Sequence, residues 1–389
     1  MAYTYAVLGS GRQGTAAAYD LARWGDARRV ILADLDLEMA HQAAERVNVL
    51  LGASIAEPAQ VDVTDLEAVG RLLTGVDAFI SAVPYVYNLD MTRVAIQAEA
   101  HMCDLGGNTE IVRQQHGFDA EAKAAGISVI PDCGMVPGMG SSLVVYTMEL
   151  LDEATDIYMW EGGIPQNPRP PFNYLLTFHI AGLTNEYAEP AIFIRDGKVV
   201  EVESITELET VEFPEPMGTL EAFVTGGATS TMPWTFQGRL RTLQNKTLRY
   251  PGHFAQLRAF CDLGLWELTP LQVGDLEVVP REVFHALFEP QVTFPGDKDI
   301  VIVRVKAVGK KDDRGAEAVV ELVDRFDEET GFTAMERTTG WSAAIVAEMM
   351  ALGQTPRGAG GVEAFVPAGP FVAELRRRGL NVTERVEKR

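Results

Sequence analysis

From Thr4 to Asp132 the sequence alternates six times between a short apolar run and a longer amphipathic stretch. The runs are TYAVL (4–8), VILAD (30–34), a run closed by VDVTD (61–65), DAFISAV (77–83), HMCDL (101–105) and ISVIPD (127–132). Such runs are too short for helices and nearly unbroken in apolar character, so they read as strands buried on both faces. Between them, residues 13–24 place Ala16, Ala17, Tyr19, Leu21 and Trp24 at helical spacing, and 36–47, 90–99 and 117–125 also read as helix. Thr64 or Asp65 caps a helix after the third strand. This alternation restricts the N-terminal part to an α/β fold, a doubly wound parallel sheet of the Rossmann type.

After Asp132 the pattern changes. Residues 155–160, 191–203, 299–308 and 316–326 read as strands of a mostly antiparallel sheet, with turns at RDGK (195–198) and KKDDRG (310–315). IPQNPRPP (164–171) is a loop. Two helical segments, 341–353 and 371–380, end the sequence and are expected to pack on the first domain. The chain's 389 residues exceed what one core usually supports. The division expected is 1–132 as dinucleotide-binding domain, 133–335 as an α+β substrate and dimerisation domain, and 336–389 as returning helices.

The first strand runs into Gly9, Gly11 and Gly14, spaced G-x-G-x-x-G, with a helix following. Gly9 allows a tight turn, Gly11 lets backbone approach a pyrophosphate, and Gly14 allows close helix–strand contact. Free N–H groups at the helix start, beside Arg12 and Gln13, suit the pyrophosphate. Asp34 ends the second strand where an acid would accept the ribose hydroxyls. Asp36 adds a second negative charge against a 2′-phosphate, so NAD is expected rather than NADP, with Arg12 the one nearby cation. Asp62 and Val63 are placed to flank the adenine, or Asp62 to cap the next helix. Ala82, Val83, Pro84 and Tyr85 leave the fourth strand on the nicotinamide side, as Asp104, Gly106 and Gly107 leave the fifth and Asp132 and Cys133 the sixth.

The net charge of −22 argues against a nucleic-acid or anionic-membrane surface. The run Arg376-Arg377-Arg378 fits the last turn of a helix. No apolar stretch approaches the roughly 20 residues of a membrane span. Three scattered cysteines, no metal-ligand spacing and no basic, apolar leader predict a reducing, cytoplasmic setting without a metal.

VLGSGRQG (7–14), SAVPY (81–85), AKAAGISVIPDCGMVPGM (122–139), GLTNEYAEPA (182–191), TLRYPGH (247–253) and RTTGWSAAIVAEMM (337–350) resemble the saccharopine dehydrogenase family. Within it the sequence looks most like the lysine 6-dehydrogenase branch, although DLGGN (104–108) departs from that branch. The resemblance implies a Rossmann domain, a mixed-sheet substrate domain, helices returning to the first domain, and a homodimer. It implies an NAD-dependent oxidoreductase acting on an amino-acid CH–NH2 group, foremost the side-chain amine of L-lysine. The alternatives are a saccharopine dehydrogenase or carboxynorspermidine-type reductase, and a catalytically silent NAD-binding protein.

Such chemistry needs a neutral amine, a nearby base and a hydride acceptor. Tyr85, Lys246 and His253 are the candidate catalytic residues. Arg249 is the bidentate partner for a substrate carboxylate, and Arg239 and Arg241 lie upstream of it. Asp104, Asn185 and Glu186 are candidates for the substrate amine. Asp104 also suits a strand-end turn, Asn185 a helix start, and Cys133 plain packing.

Overall fold

The computed structural model describes residues 2–388. Seven parallel strands form the first sheet, in the order β17-β6-β5-β4-β1-β2-β3. They are β1 (Tyr3–Leu8), β2 (Ala27–Asp34), β3 (Ala56–Gln60), β4 (Ala78–Ser81), β5 (His101–Asp104), β6 (Ser128–Ile130) and, from far along the chain, β17 (Gly358–Ala359). All six expected strands form. The third ends before VDVTD rather than within it, because AEPAQ is a half-exposed edge strand that tolerates Pro58. The helix expected at 117–125 forms as Asp119–Ala124, and a further helix, Thr109–His116, precedes it.

The second sheet runs β10-β11-β12-β7-β15-β16-β18, with β8 joined to β12 and β9 to β8. Its strands are β7 (Glu153–Pro165), β8 (Ala191–Arg195), β9 (Lys198–Val202), β10 (Glu209–Glu212), β11 (Thr219–Phe223), β12 (Thr242–Arg249), β15 (Asp299–Lys311), β16 (Arg314–Arg325) and β18 (Val382–Lys388). A separate hairpin holds β13 (Leu271–Val273) and β14 (Leu276–Val278). The pairings are antiparallel except between β12 and β7. Both expected turns join hairpins, β8 to β9 and β15 to β16.

One apolar core crosses between the sheets. It joins Val7 and Ile80 to Val303 and Leu322 through Ala343, Ile345 and Met349 of the helix Ser342–Ala351. Apart from Ser342 and the ion-paired Glu348, that helix is apolar on every face because it is covered on every side. Cys103 Sγ on β5 lies 3.5 Å from its Ala343 carbonyl. The arginine run closes the helix Ala368–Arg377, and Arg378 just beyond it is buried against Asp20 of the first helix, Arg12–Trp24. Among the described residues no helix is long and apolar enough to cross a membrane.

Candidate active site

The glycine loop carries the geometry that its sequence demands. Gly9 has φ +99°, and a Cβ there would lie 2.6 Å from the Ala82 carbonyl oxygen. A Cβ on Gly14 would lie 1.9 Å from the Gly9 oxygen, so helix and loop touch backbone to backbone. Gly11 instead faces open space, with nothing within 4 Å of a Cβ, and it opens the first helix without a side-chain cap. The N–H groups of that first turn are therefore free to meet an anion.

Asp34 clamps this loop. Its Oδ2 accepts from Ser10 N at 2.7 Å and its Oδ1 from Asp36 N at 3.1 Å. Each oxygen keeps a lone pair for a ribose hydroxyl. Leu35 beside it is 65% exposed, an apolar surface that the sequence reading did not use. Ser10 Oγ and Gln13 Oε1 are buried without a hydrogen-bond partner. Open helix start, acid and unpaired polar atoms together fit a dinucleotide.

Other residues expected at the cofactor have different company. Arg12 Nε binds Glu336 Oε1 at 2.7 Å, so its charge is already matched. Asp62 folds back on Thr64, whose hydroxyl and N–H hold its carboxyl below the usual range. The cap of the following helix is Asp65. Val63 packs against the apolar layer around Val61 and Val69. Ala82, Val83 and Pro84 follow β4, where Ala82 N meets the Leu8 carbonyl at 2.7 Å.

Beyond the strand ends, Tyr85 opens a short 3-10 turn and lies against Gly107, where a Cβ would stand 2.9 Å from its ring. Asp104 spends its carboxylate on the fold. It accepts from Gly106 N at 2.8 Å, Asp132 N at 3.0 Å and Gln115 Nε2 at 2.9 Å. Asp132 takes the hydroxyl of Ser230 from the second domain, and burial with Asp104 alongside pushes its carboxyl up to about 7. Its φ is +59°, a strained setting for a non-glycine residue. Cys133 is buried, with its thiol on the Ile130 carbonyl at 3.2 Å.

Residues 337–341, RTTGW, form a π-helical turn, a feature frequent at functional sites. A Cβ on Gly340 would lie 2.7 Å from the Gln13 oxygen, so this turn packs on the start of the first helix. Thr339 approaches Gly134, and Met335 approaches Gly163 of β7. The glycine loop is thereby linked to the β7–β12 face.

That face carries a buried polar group. Thr247 Oγ1 lies 2.7 Å from Glu161 Oε1 and 3.1 Å from Glu186 Oε1. Arg249 Nη2 is 3.7 Å from Glu186 Oε1, its Nε donates to Tyr187 Oη at 2.9 Å, and its Nη1 to the Leu248 carbonyl at 2.9 Å. Tyr187 Oη meets His253 Nε2 at 3.0 Å. Burial, then the Arg249 charge, pushes His253 down to about 3, so the ring is neutral near pH 7 and is not the free titrating imidazole expected. Burial and the Glu186 charge push Glu161 up to about 7.

The structure brings Glu186, Arg249 and His253 together but not Lys246. Alternation along β12 sends Lys246 to the opposite face, where Nζ donates to the Glu207 carbonyl at 2.8 Å and lies 3.4 Å from Glu209. Asn185 Oδ1 accepts from Arg281 at 3.0 Å, away from the group. Arg241 is bidentate to Asp156, at 2.8 and 2.7 Å. The basic run Arg239–Arg249 therefore does not converge on one carboxylate pocket. Glu161 was missed, although a lone acid in the apolar run IYMWEGGI was a signal.

A parallel sheet with a glycine loop, a clamping acid and a second domain over its carboxyl edge defines a two-domain dinucleotide-binding protein. Residues 5–130 match the family model described as the saccharopine dehydrogenase NADP binding domain, and residues 134–380 match the saccharopine dehydrogenase C-terminal domain. The chain belongs to the saccharopine dehydrogenase family. It is 22% identical over 443 residues to mouse mitochondrial alpha-aminoadipic semialdehyde synthase, covering 95% of this chain and 45% of that protein. It is 22% identical over 240 residues to Saccharomyces cerevisiae saccharopine dehydrogenase (NADP(+), L-glutamate-forming), covering 60% and 53%. The chain spans about half or less of these curated relatives, down to 22% of the rat synthase. Apo saccharopine dehydrogenase (L-Glu forming) from S. cerevisiae superposes with TM-score 0.78 at 19% identity, covering 99% of this chain and 100% of that one. Legionella pneumophila homospermidine synthase in complex with NAD gives 0.65 at 12% identity, covering 100% and 92%. At these identities the likenesses establish the fold.

Proposed function

We propose that the protein is a nicotinamide-dinucleotide-dependent oxidoreductase acting on a carbon–nitrogen bond of an amino acid. The observation that carries this reading is the Asp34 clamp, with Ser10 N at 2.7 Å, in a chain whose two halves both match saccharopine dehydrogenase domains. The finer reading is oxidative deamination of the L-lysine side-chain amine to 2-aminoadipate 6-semialdehyde and ammonia. A saccharopine-type reaction is the second reading, favoured by the names of the relatives.

The first helix would hold the pyrophosphate at its free N–H groups, and Asp34 would orient the ribose. Bound there, the dinucleotide supplies the hydride acceptor. Tyr85 and the loop after β5 would line the reacting side, and Glu186 would approach the substrate nitrogen. The amine must lose a proton before its carbon gives up hydride, and water then attacks the resulting imine to release ammonia. Asp34 and Asp36 disfavour a 2′-phosphate and Arg12 is engaged by Glu336, which supports NAD; the matched family model and the yeast relative carry NADP in their names.

The test is nicotinamide absorbance with NAD and NADP against L-lysine, saccharopine and other amino acids. Reduction with lysine alone, with ammonia released, supports the deaminating reading. Turnover only with saccharopine replaces it with the second. No turnover with any amine returns the chain to a silent dinucleotide-binding protein. The reading includes a cytoplasmic homodimer formed through the second sheet, which a monomer in sedimentation at micromolar concentration would refute.

A further inference from the structure

The buried group on β7 and β12 is short of one positive charge. Glu161 and Glu186 share the Thr247 hydroxyl, at 2.7 and 3.1 Å, with Arg249 3.7 Å from Glu186. His253 is neutral, and Lys246 points to the other face of the sheet. With both carboxylates ionised, Arg249 leaves one negative charge unmatched. Buried net charge is costly, and Glu161 meets that cost by keeping its proton up to about pH 7.

Asn245 is an independent observation. It is fully buried on the same face of β12 as Thr247, with its amide nitrogen toward Glu161, and its Oδ1 has no hydrogen-bond partner. Buried polar atoms are rarely left so. Thr225 Oγ1 is buried and turned toward Glu186. The Glu186 side chain is 21% exposed, so the group is reached from that side.

We propose that Glu161 and Glu186 form the subsite for the distal cationic nitrogen of the substrate, with Asn245 Oδ1 as third acceptor. This deepens the proposed function and rests on its amino-acid substrate. An ammonium carries three donors, and two carboxylates with one amide oxygen accept three. The incoming charge also balances the group, letting Glu161 ionise. Arg249 then fixes Glu186 instead of gripping a substrate carboxylate.

The test is calorimetric binding of L-lysine and L-norleucine, which differ at the distal nitrogen, to the full-length protein with NAD present. Lysine should bind at least about tenfold tighter, as charge-assisted hydrogen bonds predict. Glu186→Gln and Glu161→Gln should each remove about that factor and leave norleucine unchanged. Equal affinity for the two ligands, including none measurable for either, overturns the proposal, as does a variant that weakens both alike. Should Glu161→Gln fail to fold, the rim variant Glu186→Gln decides. Discrimination without any turnover would sink the enzymatic reading and leave the subsite standing.

Discussion

Arg378 Nε lies 2.9 and 2.7 Å from the two carboxylate oxygens of Asp20, and neither side chain is exposed. Its Nη2 reaches Glu348 at 2.6 Å, and Glu374 takes the remaining nitrogen. This network fastens the C-terminal helices to the first domain. Arg378→Met would strand two buried acids and should cost about 3–5 kcal/mol in a denaturant titration. Burial outweighs the guanidinium and pushes the Asp20 carboxyl up to about 6, so the folded protein favours the proton and loses stability as pH rises from 3.8 through about 6. Asp20→Asn should therefore be the milder change at neutral pH.

Gly11 and Gly14 differ sharply in what a methyl group would meet. At Gly14 a Cβ falls 1.9 Å from the Gly9 oxygen; at Gly11 nothing lies within 4 Å. Gly14→Ala should lower the melting temperature and abolish nucleotide binding together. Gly11→Ala should melt like the parent yet bind NAD at least about tenfold more weakly, since its methyl occupies the anion's approach. Calorimetry alongside melting separates the two, and a Gly11→Ala that binds normally would remove the loop from the cofactor site.

Asp34→Ala removes the clamp on Ser10 and the acceptor for the ribose. A hydrogen bond to a charged group contributes roughly 1.5–3 kcal/mol, so NAD affinity should fall about 10–100-fold. NADP affinity should fall less, because a repulsive charge also leaves. An equal loss for both dinucleotides would show that Asp34 does not choose between them.

His253 makes acid sensitivity predictable. Its folded-state value is near 3 against 6.5 for a free imidazole, so as pH falls the unfolded chain takes the proton first. Stability should drop between about 6.5 and 3 and be unaffected by this group above that window. His253→Gln should flatten that slope in melting measured across the range.

Glu161 acts in the opposite direction. Its carboxyl is raised from 4.5 to about 7, so the folded state holds a proton the unfolded chain releases, and stability is lost as pH rises through that interval. Glu161→Gln should match the parent in acid and be the more stable protein above about pH 7. A variant less stable there would mean that the carboxylate supports the fold.

The strands flanking the glycine loop were readable because burial on both faces leaves an unbroken apolar run, as in VILAD. The loop was readable because contacts such as Gly14 on Gly9 can be met by one residue type alone. β12 escaped because TLQNKTLR buries Asn245, Lys246, Thr247 and Arg249, and so carries no apolar alternation. β17 is two residues long, and β18 is a charged, exposed edge. The lone acid in IYMWEGGI marks Glu161 as unusual, but its partner Thr247 comes only from the register between β7 and β12, a pairing of distant segments. The same pleat takes Lys246 out of the group that sequence proximity gave it.

β17 lies against β6 in the first sheet, while β18, a little further along, lies against β16 in the second. During synthesis, therefore, the edge of β6 stays open until nearly all of the second domain has left the ribosome. An unpaired edge of that kind is a template for wrong partners, and late long-range pairing is slow. A protease cut ahead of Gly358 would sever from the rest of the chain the edge strands of both sheets at once.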